Sequence, residues 1–164
     1  MQLPNLDMLR SRIDMVVADR LVSAAIGDRL QCENQAADEY RAGRLWFCFF
    51  PPHIGGESGI ERFFRSWGGE ALYNSHERDP QTGPALSVIG TPCLIHARVA
   101  IASFKDSAGL AFKVVQKFLV GRGHATSEPS DHEDSARQPI PASNILRIVK
   151  FPERDFIELT KCDG

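Results

Sequence analysis

The sequence lacks the motifs by which the common catalytic families are recognised. No G-x-S-x-G, phosphate-binding glycine loop, H-E-x-x-H or C-x-x-C occurs in its 164 residues. These patterns place a nucleophile, a set of phosphate-binding amides or the ligands of a zinc ion where the chemistry needs them. Their absence removes the main support for a hydrolase, a nucleotide triphosphatase or a zinc protein.

Long hydrophobic runs and a strong charge bias are also missing. The longest apolar run, residues 45–52, is far shorter than the roughly 20 residues that cross a bilayer, and the first residues contain no signal-like apolar core. The formal net charge of −2 gives no general attraction to nucleic acid or to an anionic membrane. We therefore expect a cytoplasmic protein that binds neither a membrane nor, in bulk, nucleic acid.

Cysteine and histidine are too scattered to suggest a disulfide framework or a metal site. The four cysteines are Cys32, Cys48, Cys93 and Cys162. They form no close pair, and two of them lie inside apolar runs, which favours reduced and unreactive thiols. The histidines are equally dispersed, and His96 alternates with apolar neighbours, which favours a hydrogen-bonded structural residue. We expect no bound metal.

The length and the 43% apolar content fit a single α+β domain, residues 1–164. Apolar residues at helical spacing predict a helix over residues 4–25, broken near residues 19–20 and closed by Gly27. Further helices are predicted over residues 33–41, 58–67, 84–89 and 108–120. A capping box formed by Ser58 and Glu61 marks the start of the helix over residues 58–67.

The strand pattern predicts a small split mixed sheet. Residues 44–50 are apolar on both alternating faces and rich in aromatic residues, so they are predicted to form a central strand covered on both sides. The strands over residues 70–74 and 92–102 are expected to flank it. Residues 144–151 and 156–160 are predicted to form a hairpin.

Residues 122–141 interrupt this pattern. They include the polar, acidic run 127–135, which has little apolar surface to bury. Such a composition is typical of segments that remain flexible. We therefore predict a mobile acidic loop.

Four segments, taken in order, resemble ADP-ribosyltransferase-like and RES-domain toxins that consume NAD. Residues 5–7 and 21–25 are similar to the helix that follows the first strand of the former, and residues 69–75 are similar to the G-x-A-L-Y-x-S strand of the latter. Residues 90–101 fit the next core strand, and residues 139–148 resemble the segment that closes such folds. Together these segments cover most of the chain, and their order carries the resemblance.

The resemblance implies an enzyme that binds NAD in a cleft of the split sheet and cleaves its glycosidic bond. By position, Tyr73 matches the residue that stacks on nicotinamide, and Arg44 matches an arginine that binds the diphosphate. Glu133 is the nearest carboxylate ahead of the closing segment, where the family acid falls, and it would stabilise the positive charge that develops on the ribose. The implied NAD-binding residues are Arg44, Gly69, Tyr73, Ser75 and His76, and the implied catalytic residues are Tyr73 and Glu133. An antitoxin-like protein is an expected partner.

The residues themselves leave two alternatives open. Tyr73 fits equally a strand tyrosine with its ring in the core, and Gly69 fits a simple helix stop. A non-catalytic α+β domain is the alternative function. It would bind a protein partner through an aromatic surface formed by Trp46, Phe50, Phe63 and Trp67.

Overall fold

The computed structural model describes residues 1–55 and 57–162, without the side chains of residues 55 and 57–59. Within them the helices are α1 Leu6–Ala18, α2 Ala24–Cys32, α3 Glu57–Arg65, α4 Glu70–His76, α5 Thr82–Ser87, α6 Ser107–Val120 and α7 Arg154–Thr160. The strands are β1 Leu45–Cys48, β2 Cys93–Ala97, β3 Glu133–Ala136 and β4 Ile145–Lys150. Short 3-10 turns occur at Pro52–Gly55, Ile101–Ser103 and Ala142–Asn144. The predicted α+β class and single domain are confirmed.

Two separate helices, α1 and α2, replace the one long amino-terminal helix. The predicted break near residues 19–20 is confirmed, and Ser23 begins α2 because its hydroxyl accepts a hydrogen bond from the Ile26 amide at 3.3 Å. The role predicted for Gly27 is wrong. It lies inside α2, where a Cβ atom would come within 2.5 Å of the Val17 Cγ2 methyl of α1. Its missing side chain therefore lets the two helices approach.

The helix predicted over residues 33–41 is wrong, because residues 34–44 contain turns and no helix. The Asn34 side chain donates to the Leu30 and Gln31 carbonyls at 3.1 and 2.9 Å and accepts from the Ala36 amide at 3.2 Å. These local hydrogen bonds compete with those of a continuing helix. The chain therefore turns at Asn34 instead of extending α2.

Two of the predicted strands are helices. Residues 70–74 belong to α4, which buries Leu72, Tyr73 and His76, and residues 156–160 belong to α7, which buries Phe156 and Thr160. The predicted hairpin therefore keeps only its first strand, β4. The other helices, α3, α5 and α6, agree with prediction to within a few residues, although the cap predicted for Ser58 lies outside the described side chains.

The sheet is split, as predicted, into two small pairs. β1 pairs with β3 and β2 pairs with β4, both antiparallel, so the pairing is not mixed. The prediction that residues 44–50 form a covered central strand is wrong. β1 has one strand neighbour, and Trp46 on it is 53% exposed. The predicted strand 92–102 ends early, at Ala97.

The prediction of a mobile loop over residues 122–141 is wrong for β3. This strand is held by β1, and its residues Asp134, Ser135 and Ala136 are buried. One Asp134 carboxylate oxygen accepts the Asp106 amide at 2.7 Å, just ahead of α6. Polar residues are buried here because each has a hydrogen-bonding partner.

One apolar cluster packs the helices together. Its buried members are Leu9, Ile13, Leu30, Ala36, Leu72 and Leu86. Trp67 packs against this cluster from the loop between α3 and α4. None of the helices in the described ranges has the length and apolar content needed to cross a membrane.

Candidate functional site

Tyr73 lies on α4 with its ring covered by an arginine. The residue is 6% exposed, and the guanidinium carbon of Arg62, on α3, lies 4.8 Å from the ring centroid. The Tyr73 hydroxyl donates to Glu70 Oε1 at 3.3 Å. Burial raises the pKa of Tyr73, and the Glu70 carboxylate adds to the shift. The ring therefore already binds a planar cation on its face.

Arg62 is also held by a carboxylate. Its Nε donates to Glu77 Oε2 at 2.8 Å, and its Nη2 contacts Glu77 Oε1. This two-point contact lowers the pKa of Glu77 and raises that of Arg62. Arg62 is exposed and Glu77 is half-buried, so the pair orients the guanidinium over Tyr73 while solvent screening limits its contribution to stability.

A second arginine, Arg41, reaches Tyr73 through Glu70. Arg41 Nη2 lies 3.5 Å from Glu70 Oε2, and Nη1 lies 3.2 Å from Asp38. The Arg41 Nε atom is buried and has no hydrogen-bond partner among the described residues. Tyr73 therefore contacts Arg62 and Glu70 directly, and Glu70 in turn contacts Arg41.

Arg44 connects this group to the β1–β3 pair. Its Nε donates to the Glu39 carbonyl at 3.1 Å, and its Nη1 donates to Ser135 Oγ on β3 at 3.4 Å. Arg41 and Arg44 are three residues apart in the turns that precede β1. These turns therefore link the Tyr73 group to β3.

Glu133 is the first residue of β3 and faces Cys48 of β1. The Cys48 thiol donates to Glu133 Oε1 at 3.5 Å. Desolvation raises the pKa of Cys48 to about 12, with a further contribution from the Glu133 charge. A small recess beside them is lined by Cys48, Phe50, Pro51, Pro52, Asp131, His132 and Glu133. No hydrogen bond or ion pair within the described ranges joins Tyr73 to Glu133.

His76 is a core residue. It has no exposed surface, and its Nδ1 lies 3.0 Å from Thr82 Oγ1 while its Nε2 lies 2.6 Å from the Glu33 carbonyl. A carbonyl only accepts, so Nε2 carries the proton and Nδ1 accepts from the hydroxyl. Both nitrogens are used by the protein and neither faces a ligand. Ser75 is exposed on α4, and Gly69, with φ +57, precedes this helix.

Neither Arg41 nor Arg62 was predicted as a site residue. Arg62 belongs to the polar side of an amphipathic helix, where a solvated cation is the usual interpretation. Its position over Tyr73 depends on the packing of α3 against α4, which has no local signature. The nearest available signal was the number of arginines close to the Tyr73 segment.

Other possible sites lie apart from Tyr73. A groove of about 750 Å³ runs along α1 and is lined by Gln2, Leu3, Asn5, Asp7, Met8, Ser11, Arg12, Met15, Val16, Asp19 and Trp67. In the part of the chain that the structure describes, no three acidic, histidine or cysteine side chains are grouped to hold a metal ion.

The predicted aromatic surface is only partly present. Trp46 and Phe63 are exposed, and Trp46 Nε1 donates to the Tyr40 carbonyl at 2.9 Å. Trp67 packs against the core cluster, and Phe50 has the Lys117 ammonium 4.5 Å from its ring centroid. Trp46 is thus the aromatic side chain of this set with both exposure and a fixed orientation.

Comparison with protein-family models, with curated proteins and with solved structures gave no match to this chain.

Proposed function

We propose that this protein uses NAD as a substrate, as an ADP-ribosyltransferase or an NAD glycohydrolase does. The observation that carries the proposal is the guanidinium of Arg62 on the face of Tyr73, 4.8 Å from the ring centroid. The nicotinamide of NAD is also a planar cation. It would bind the same ring face by the same cation–π attraction.

Nicotinamide can reach Tyr73 only if Arg62 leaves the ring. The NAD diphosphate supplies a reason for Arg62 to move, because guanidinium groups bind phosphate oxygens in a two-point geometry. Among the described residues, the carboxylate bound to Arg62 is that of the half-buried Glu77. Arg41 adds positive charge near Tyr73 through its contact with Glu70. Arg44, three residues further along the same turns, is proposed to bind the diphosphate as well.

In the proposed reaction the glycosidic bond between ribose and nicotinamide breaks, and nicotinamide leaves as a neutral molecule with the bonding electrons. Water or a nucleophile of the acceptor then adds to the anomeric carbon and loses a proton. The cationic sugar needs a nearby carboxylate. Glu133, on the ordered strand β3, is proposed for this role, and Glu70 and Glu77 are the alternatives beside Tyr73.

Nicotinamide release from NAD tests the proposal. Tyr73→Phe should retain much of the activity because it keeps the ring, whereas Tyr73→Leu should lose it although it keeps an apolar side chain in a buried position. Tyr40→Ala, which removes an exposed tyrosine ring from outside the site, is the control. Glu133→Gln should also lose activity. Absence of both NAD binding by calorimetry and nicotinamide release by the unaltered protein would overturn the proposal.

A protein-binding function is the second candidate, favoured by Trp46. Its indole is half exposed yet held by the Tyr40 carbonyl, and such rigid aromatic side chains anchor many interfaces. A photo-crosslinking residue at position 46 should capture one defined partner in cells, whereas the same residue at Val88, which is 78% exposed, should not. Equal labelling from both positions would remove this candidate.

A further inference from the structure

Helix α6 presents an apolar stripe to solvent. On the face centred on Val115, the side chains of Phe112, Val115, Phe118 and Leu119 are each 41–58% exposed. Val114 and Val120 are exposed to either side of that face, and within this helix only Leu110 and Gln116 are buried. Single exposed apolar residues are ordinary, but a contiguous row of them is not. This stripe therefore requires an explanation.

Helix α6 is held in place by contacts beside and behind the face centred on Val115 and by a cap at its start. Gln116 Nε2 donates to the Glu128 carbonyl at 3.0 Å, and the Lys117 ammonium lies 4.5 Å from the Phe50 ring centroid. The Asp106 carboxylate caps the helix by accepting the Gly109 amide at 2.9 Å. After these contacts, the apolar face of α6 that is centred on Val115 remains exposed to solvent.

We propose that a second copy of this chain covers α6, with the two helices antiparallel about a two-fold axis at Val115. At about 100° per residue, Ala108, Ala111, Phe112, Phe118 and Leu119 all lie within about 60° of Val115 on the helix surface. An antiparallel pair centred there sets Phe112 against Phe118 of the partner subunit. It also sets the small Ala111 against the large Leu119 of the partner subunit.

Charge favours the same arrangement. Asp106 is the only acidic residue from position 105 to position 125, and it stands at the start of α6, whereas Arg122 follows its end. An antiparallel pair brings the Asp106 end of one helix to the Arg122 end of the other. The two helix dipoles are then also opposed, which is the favourable orientation. A parallel pair would instead bring the two Arg122 guanidinium groups together, whereas Lys105 and Asp106 balance each other at the start of each helix.

The exposed area on this face suits a weak dimer. A fully buried aromatic side chain removes at least about 150 Å² from water, so each half-exposed phenylalanine of α6 contributes roughly 80 Å² or more. Phe112, Val115, Phe118 and Leu119 together amount to roughly 300 Å² per copy, or about 600 Å² for two copies, which is the size of a weak interface that dissociates on dilution.

Light scattering coupled to size-exclusion chromatography tests the dimer. The protein should elute with twice its chain mass of 18.2 kDa at higher concentrations and dissociate on dilution. Val115→Arg brings two positive charges together on the axis and should give a monomer with an unchanged circular dichroism spectrum. Val88→Arg, the same change at another exposed valine, should remain dimeric.

A charge swap tests the antiparallel register. Phe112→Lys should dissociate the dimer, and adding Phe118→Glu should restore it, because opposite charges then face each other twice across the axis. In a parallel pair the same double variant would stay dissociated. A monomeric unaltered protein, a dimer that survives Val115→Arg, or a monomer that instead binds vesicles of anionic lipid through α6 would each overturn the proposal.

Discussion

His76 and Thr82 form a hydrogen bond inside the protein, with Nδ1 and Oγ1 3.0 Å apart and no exposed surface on either residue. The other imidazole nitrogen binds the Glu33 carbonyl at 2.6 Å. One side chain therefore joins the end of α4, the start of α5 and the residue that follows α2. A buried polar group of this kind is stable only while both of its hydrogen bonds are made.

Removing the Thr82 hydroxyl should expose that dependence. Thr82→Val keeps the shape of the side chain but leaves His76 Nδ1 buried without a donor, so the free energy of unfolding should fall by about 1–3 kcal/mol. Urea denaturation measures this directly. Thr82→Ser is the control, since it keeps the hydroxyl and loses one methyl group, worth about 1 kcal/mol. A valine variant at least as stable as the serine variant would contradict the assignment.

A second prediction concerns the contact between α1 and α2. Gly27→Ala should destabilise the protein although alanine is the better helix former by about 1 kcal/mol, because the new Cβ would meet the Val17 Cγ2 methyl at 2.5 Å. The melting temperature should fall. Combining Gly27→Ala with Val17→Ala removes the obstructing methyl and should recover part of the loss.

The double-mutant cycle supplies the control. If the two changes act through this one contact, their effects on the unfolding free energy should not add, and the coupling should be favourable. Strict additivity would mean that the helices do not meet at Gly27.

The length of a helix affected how well it could be predicted from the sequence. Long periodic segments such as α1 and α6 were predictable because they carry several turns of apolar spacing. In α4 and α7, each seven residues long, a few apolar positions fit a strand and a helix equally well. In both segments the burial of residues four positions apart favours the helix over the strand. The buried pairs are Leu72 with His76 and Phe156 with Thr160.

The prediction for the polar segment failed for a different reason. The composition of residues 127–135 predicts flexibility, but Asp134 and Ser135 are buried because the Asp106 amide and the Arg44 guanidinium are their partners. Those partners are distant in sequence and leave no local pattern. The same is true of Arg62, whose place over Tyr73 was not predictable although Tyr73 itself was identified as a candidate.

A third prediction follows from the contact of Cys48 with Glu133. Because the pKa of Cys48 is raised to about 12, mainly by desolvation and further by Glu133, little of this thiol is ionised near neutral pH. All three of Cys32, Cys48 and Cys93 are exposed, so iodoacetamide reaches each of them, and the raised pKa should make Cys48 react more slowly than the other two. Mass spectrometry of the labelled peptides over time measures the rate at which each cysteine is modified.

Glu133→Gln should raise the reactivity of Cys48 and leave that of Cys93 unchanged. Removing the carboxylate charge lowers the pKa of the thiol, and each unit of that fall raises the thiolate fraction about tenfold. Desolvation of the Cys48 thiol remains in this variant, so Cys48 should still react with iodoacetamide more slowly than Cys93. An unchanged rate in the variant would mean that the carboxylate does not face the sulfur.

The last prediction concerns stability against pH at Asp79. Its carboxylate binds Arg29 at 2.7 and 3.2 Å and accepts the amides of Gln81 and Thr82, both at 2.9 Å. The Arg29 hydrogen bond, followed by those two amides, holds the pKa of Asp79 well below its ordinary value. A carboxylate whose pKa is lower in the folded than in the unfolded protein stabilises the fold above its unfolded pKa of about 3.9. Protonation removes that stabilisation as the pH falls further.

Asp79→Asn keeps an acceptor oxygen and removes the charge, so its melting temperature should lie below that of the unaltered protein at pH 7. The difference in melting temperature should narrow steadily below about pH 4, because Asp79 of the unfolded chain then takes up a proton while folded Asp79 keeps its charge, which favours unfolding. Asp28→Asn, at an exposed helical position, should show no such gap. A gap at Asp79 that stays constant from pH 7 to pH 3 would show that the charge contributes nothing and that the hydrogen bonds alone hold this junction.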